Sequence, residues 1–299
     1  MSATRNAAPT APRKRLRPGR IVTGSVRLLG LALLSALALS MVIPFLWMIA
    51  TSLKTNAEAF TVPPTFLPTQ FRWENYQFLF TRAPFGRYLI NSLIVTGTTV
   101  FGQLLVCSMA AYAFARLGWM GRDSIFIAYL ATMMIPFQVT LIPTYLIVRS
   151  FGWVDTYWGL IVPGLGSAYG VFLLRQSFLA VPRDLQDAAR IDGASEWQIY
   201  WRIFMPLVSP TLATLGVFTF MGTWTDLLWP LLVVSGGNRD MRTLELGLAY
   251  FQADFAGWFQ TNWPQVMAGA LVVLAPVVLV YILAQRYFVR GITLTGIKG

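Results

Sequence analysis

Histidine is missing from all 299 residues, which removes the commonest metal ligand and the usual acid–base group of neutral pH. Lysine is scarce. Lys14, Lys54 and Lys298 follow Arg13, Leu53 and Ile297, where G-x-x-x-x-G-K-[ST] requires glycine, so a P-loop is excluded and ATP cannot be bound in that way. The one cysteine, Cys107, lies in an apolar run; no internal disulfide can form, and the thiol is expected to pack as a small apolar residue. Charge is scarce too, at 12% of residues against roughly 25% in a soluble domain. These shortages argue against catalysis by this chain, against a bound metal or cofactor, and against a soluble fold.

Apolar residues make up 56% of the chain, and they are gathered in long runs. Runs almost free of charge extend from Leu28 to Leu53, Tyr88 to Ala115, Ser124 to Val148, Thr156 to Leu174, Ile203 to Thr225 and Phe255 to Gln285. Each can hold a helix of the ~20 residues that cross a bilayer. The fourth is the shortest and contains Gly159, Pro163, Gly164, Gly166 and Gly170, so a broken or partly irregular helix is expected there. The first imitates a secretory signal, with basic residues before it and Ala36-Leu37-Ala38 as a mock cleavage site. It continues to Leu53, however, beyond the ~7–15 apolar residues of a signal, and reads as a retained helix. The expected organisation is a basic tail (1–27), a first membrane helix (28–53), a core of five further membrane helices (84–286) and a C-terminal tail (287–299).

The net charge of +11 and the cluster Arg13-Lys14-Arg15-Leu16-Arg17 invite a nucleic-acid reading. A basic cluster just before a membrane helix is better explained by anionic lipid, and the tail before Pro18, rich in small residues and proline, is expected to be disordered. Six crossings put both termini on one side. With the N-terminus cytoplasmic, sixteen Lys and Arg lie inside and seven outside, the bias of a cell-membrane protein with both ends in the cytoplasm.

That orientation exposes residues 183–210 to the cytoplasm. Within them, Asp187 to Pro210 (DAARIDGASEWQIYWRIFMPLVSP) reads as two short helices hinged at a glycine. Pro182 and Asp184 start the first, and Gly193 can take the left-handed conformation that ends it. Ser195 can cap the second in a capping box with Gln198, and Pro206 is expected to limit it.

Polar residues inside the runs are few. Asp226, in Gly222-Thr223-Trp224-Thr225-Asp226, is either part of a pathway or a structural hydrogen-bonding group. Asn91, Ser92, Thr96, Gln103, Gln138 and Thr140 can face a water-filled path or join helices. Tentative path residues are Asn91, Gln138, Trp224 and Asp226. The tryptophans Trp47, Trp119, Trp153, Trp158, Trp224, Trp229, Trp258 and Trp263 flank runs, as interfacial anchors or as surfaces for a sugar ring. Gly97, Gly102, Gly216 and Gly222 permit close helix approach, and Pro136, Pro143 and Pro276 can kink their helices.

Asp187, Ala188, Ala189, Asp192, Gly193, Ala194, Ile203, Pro206, Leu207 and Pro210 resemble the EAA loop of ABC-importer permeases. Other stretches resemble the maltose-type carbohydrate permeases, the MalG-like subunits: Phe45-Leu46-Trp47-Met48, Ser52-Leu53-Lys54, Asn91-Ser92-Leu93 and Ala111-Tyr112-Ala113-Phe114-Ala115-Arg116. Ile142-Pro143, Trp224 to Pro230 and the ending Gly296 to Gly299 continue the likeness. Asp187 replaces the usual Glu, and Tyr200 a common Phe.

The resemblance implies an all-α integral membrane protein with six transmembrane helices and the type I ABC-importer fold. It implies sugar uptake, a second, different permease, a pair of ATPase subunits and an extracytoplasmic sugar-binding protein facing Ser235 to Gln265. Coupling to the ATPase would rest on Asp187, Ala188, Ala189, Arg190, Asp192, Gly193 and Ala194. Alternatives are an importer of a phosphorylated polyol such as glycerol phosphate, and an ion-gradient-driven carrier. The first would favour a basic group in the path and the second several buried ionisable groups; the runs offer neither.

Overall fold

At Ile135-Pro136 a proline and the residue before it break one of the apolar runs. The computed structural model describes the backbone of residues 19–255 and 262–293, and side chains within 27–253 and 262–285. The start of the basic tail, Trp258 and the Gly296–Gly299 ending lie outside the described residues. The chain divides into Met1–Ile49 and Ala50–Gly299. The first unit is built on α1 (Gly19–Ser52), whose stretch Arg27–Ser52 is long and apolar enough to cross a membrane.

The second unit begins with two short helices, α2 (Asn56–Ala59) and α3 (Glu74–Arg82), followed by α4 (Phe85–Arg116), an unbroken 32-residue span. Then come α5 (Arg122–Ala131) with a 3₁₀ turn at Thr132–Met134, and α6 (Phe137–Ser150). Ile135 is extended (φ −86°, ψ 115°), as a residue before proline prefers, and Pro136 then starts α6 at 104° to the helix before it. The run expected as one crossing from Ser124 to Val148 is therefore a sharply bent pair. Pro143 sits inside α6.

The fourth run also breaks, as its glycines and proline led one to expect. Helix α7 (Tyr157–Ile161) continues as a 3₁₀ turn at Val162–Gly164; α8 (Ala168–Ala180) follows at 44°. Ser167 caps α8 by accepting from the Gly170 amide at 3.0 Å. Next are α9 (Arg183–Ile191) and α10 (Glu196–Ile199), a π turn at Tyr200–Phe204, α11 (Met205–Leu207) and α12 (Ser209–Trp224).

Pro206 stands one residue before its helix ends at Leu207, near the limit expected of it. The Met205 amide reaches back to the Tyr200 carbonyl in the wider π turn, the chain passes through Pro206, and the 77° bend falls at Val208, before Pro210 opens α12. The chain ends with α13 (Leu228–Val233), a 3₁₀ turn at Arg239–Met241, α14 (Leu244–Phe255) and α15 (Trp263–Thr293), which carries Pro276 internally. Among the described residues three helices are long and apolar enough to cross a membrane, and the spans number up to six if each bent pair counts as one. Among the described residues there is no strand.

Helix α4 contributes to three clusters of buried side chains. Cys107, Ala111 and Tyr112 meet α8 and the segment before α12. Phe85 and Tyr88 meet α3, α14 and α15, and Val95 meets α7 and α13. Elsewhere α4 exposes Leu93, Ile94, Phe101 and Val106, so its outer surface is as apolar as its packed one. Lipid gives helices little hydrophobic reason to associate, so close packing and interhelical hydrogen bonds hold these seams. Gly102 and Gly216 allow such approach: a Cβ on Gly102 would stand 2.5 Å from Leu165, and one on Gly216 would touch Leu104 at 3.5 Å. At Gly97 and Gly222 a Cβ would meet nothing, so neither is needed for closeness. Gly247 is: its Cβ would lie 2.1 Å from the Tyr88 ring.

Candidate functional site

Two regions combine unusual geometry with polar chemistry. The first is the hinged unit at 183–210. The Ala194 amide bonds the Ala189 carbonyl at 2.9 Å and the Gly193 amide bonds Arg190 at 3.0 Å, the paired bonds of a Schellman ending. Gly193 takes φ +82° there, and a Cβ would meet nothing within 4 Å, so the demand for glycine is purely conformational. Ser195 and Gln198 form the reciprocal capping box that starts α10, at 3.3 and 2.8 Å.

Helix α9 is amphipathic in an unusual sense. Gln186 and Ala189 are buried against the protein, while Leu185, Ala188 and Ile191 form an exposed row at helical spacing, bordered by Asp184, Asp187 and Asp192. Ile191 is 87% exposed. Ala188 and Ala189, paired in the sequence as small residues for a docking surface, thus point different ways: Ala188 outward, Ala189 and Ala194 towards the protein's own core.

Glu196 holds this unit together, and nothing in the local sequence marks it. Its carboxylate accepts from Arg190 at 2.6 Å, from Tyr112 at 2.8 Å and from Gln186 at 3.5 Å, joining α9 and α10 to the end of α4. Its hydrogen bond pushes the Arg190 guanidinium further up from its ordinary value, so that cation is constant in charge. Arg190 also approaches Asp187 at 3.8 Å. Nearby, Ser108 and Tyr200 share a 2.7 Å hydrogen bond. Arg116 donates to the Phe178 and Val181 carbonyls and lies over the Phe204 ring, 4.7 Å from its centroid. Tyr112 meets Phe178, Tyr200 and Phe204 edge-on at 5.3 to 5.8 Å, contacts worth about 0.5–1.5 kcal/mol each beyond area burial. A push on α9 therefore bears directly on α4.

The second region is a cavity of about 230 Å³ among α4, α6, the 162–164 turn and the α12–α13 junction. Thr99, Phe137, Thr140, Thr144, Thr223, Asp226 and Trp229 line it, with Leu160, Pro163 and Gly164. Asp226 accepts the Trp229 amide at 3.3 Å, which caps the start of α13.

Of the tentative path residues only Asp226 reaches this cavity. Asn91 is fully buried and committed: it donates to the Asp240 and Arg242 carbonyls at 2.6 and 2.8 Å and accepts from Tyr157 at 2.7 Å. Ser92 accepts the Leu244 amide at 2.7 Å, so this end of α4 anchors the 240–244 segment. Gln103 bridges Gly164 and Thr219. Trp224 is buried, stacks on Phe220 and donates to the Val273 carbonyl at 2.9 Å; Trp229 donates to Gly159 at 3.0 Å. These two tryptophans are interior struts, whereas Trp158 and Trp197 are more than half exposed. Gln138 is exposed and lines no part of the cavity, although its neighbours Phe137 and Thr140 do. Thr99 and Thr144, which do line it, are ordinary span residues that no sequence signal singles out.

A family model described as "Binding-protein-dependent transport system inner membrane component" matches residues 103–294. The arabinooligosaccharides transport system permease protein AraQ of Halalkalibacterium halodurans is 33% identical over 86% of this chain and 91% of its own length. The sn-glycerol-3-phosphate transport system permease protein UgpE of Yersinia enterocolitica is 35% identical over 79% of this chain and 85% of its own. Among solved structures, a bacterial ABC transporter described as involved in import of the acidic polysaccharide alginate superposes with a TM-score of 0.76. It shares 25% identity and covers 94% of this chain and 100% of its own.

Proposed function

The chain belongs to the binding-protein-dependent transport system inner membrane components, non-catalytic membrane subunits of ABC importers, and on that premise we propose that it forms part of a sugar path driven by a separate ATPase. The observation that carries the reading is the build of α9. Its exposed Leu185–Ala188–Ile191 row, bordered by carboxylates, suits a groove on a partner, and the Glu196 cluster ties the same helix to α4. Movement of the ATPase would enter at Asp187, Ala188 and Arg190. The Gly193 ending keeps the two short helices at a fixed angle, Ala189 and Ala194 support it from within, and Asp192 stands exposed at the turn. ATP closure would then rock the spans between inward and outward states.

The remaining partners follow from the same reading. A second, different permease completes the path, a pair of ATPase subunits drives it, and an extracytoplasmic sugar-binding protein delivers the solute on the side of α14. The excess of Lys and Arg on the 183–210 side of the chain supports a cytoplasmic position for that unit and both termini. The relatives named for arabino-oligosaccharides support a sugar. Glycerol phosphate is the competing solute because relatives named for it are equally similar.

The test is reconstitution. Proteoliposomes holding this chain, its partner permease, the ATPase and the binding protein should accumulate sugar only with ATP inside the reach of the ATPase. Accumulation that follows an ion gradient at constant ATP would defeat the reading.

A further inference from the structure

Resting on the sugar-importer reading, we propose that the cavity at Asp226 is a subsite for one ring of a neutral saccharide, and that it disfavours anionic solutes. Its volume, about 230 Å³, lies below the ~300–1,000 Å³ of sites for drug-sized ligands, so it holds one ring and not a whole oligosaccharide. Its polar lining is a set of hydroxyls and one carboxylate. Thr99 is 2% exposed and contributes only to the wall of the cavity.

Thr140 and Thr144 stand one turn apart on α6 and face the same space, with Thr223 opposite. Asp226 accepts the Trp229 amide at 3.3 Å and is also met by the Leu228 amide, and its remaining lone pairs can accept from the O–H groups of a solute. Phe137 is 48% exposed and offers an aromatic face for the C–H side of a ring. Among the described residues no Lys or Arg lines the cavity. A phosphate or uronate entering it would meet a carboxylate with no cation to offset the repulsion, in surroundings less polar than water. The chain thus carries its own selection between the solute classes for which its relatives are named.

The experiment uses the complete importer in proteoliposomes at fixed ATP, with maltotriose, arabinotriose, sn-glycerol 3-phosphate and an alginate trisaccharide as probes. Wild type should take up a neutral trisaccharide in preference to either anion. Asp226→Asn keeps an oxygen to cap Trp229, so it should assemble; KM for the neutral sugar should rise about tenfold and the preference over the anions should narrow. Thr140→Val and Thr144→Val are nearly isosteric and should each raise KM several-fold; they decide the matter if Asp226→Asn fails to copurify with its partners. Neutral uptake that all assembled variants leave unchanged would remove the cavity from the path while the sugar-importer reading stands. Wild-type preference for an anion would overturn the selectivity. ATP-driven uptake of a chemically unrelated solute, with none of the four probes accepted, would overturn the sugar reading itself.

Discussion

Tyr112 and Glu196, 84 positions apart, are joined by a 2.8 Å hydrogen bond that fastens the hinged unit at 183–210 to the end of α4. A hydrogen bond to a charged partner contributes about 1.5–3 kcal/mol, less where the carboxylate is partly exposed as here. Tyr112→Phe keeps the ring contacts with Phe178, Tyr200 and Phe204 and removes only that bond. The expected outcome is ATP hydrolysis that persists while solute moved per ATP falls several-fold. Parallel measurement of the two rates checks it, and an unchanged ratio would free α4 of this role.

Gly193 separates conformation from space. Its φ of +82° disfavours any residue with a Cβ by about 1 kcal/mol or more, yet nothing stands where that Cβ would go. Gly193→Asn should therefore retain most transport, because Asn tolerates the left-handed region, while Gly193→Val should lose most of it with membrane insertion intact. Equal activity in the two variants would mean the turn can be made another way.

Asn91 gives a stability readout where a path residue would give a kinetic one. Asn91→Leu strands the Asp240 and Arg242 carbonyls and the Tyr157 hydroxyl, at about 1–3 kcal/mol for each group left buried and unpaired. The melting temperature of the detergent-solubilised complex should fall by several degrees, with KM for solute in the surviving fraction unchanged. A shift in KM at constant melting temperature would return Asn91 to the path.

Among the described residues lining its cavity Asp226 has no second acidic residue or histidine beside it, so a proton relay has no next carrier there. Dissipating the proton gradient at constant ATP should leave uptake intact. Loss of uptake under those conditions counts against ATP as the energy source.

What the sequence made legible was local chemistry. The left-handed glycine, the Ser195–Gln198 box and the broken fourth run each depend on residues within a few positions, and each stands in the structure as read. Pro206 stands one residue before the end of its helix at Leu207, close to the limit expected of it, while the π turn at Tyr200–Phe204 just before it had no local signal. Glu196 was silent for a related reason: its partners come from two other elements, Tyr112 from α4 and Gln186 and Arg190 from α9. Asn91 and Trp224 looked like path residues because polar and aromatic groups in apolar runs have two outlets, and the carbonyls that claim them lie 149 and 49 positions away.

The unbroken run of α4 has a mechanical consequence. At 1.5 Å per residue its 32 residues make a rod about 48 Å long, held at one end by Arg116 and Tyr112 and at the other by Asn91 and Ser92. A rigid tilt of about 5° about the first end carries the second through roughly 4 Å by the geometry of that rod. Leverage of this kind needs no domino of rotamer changes along the helix, and spin labels at its two ends would register it as a single step.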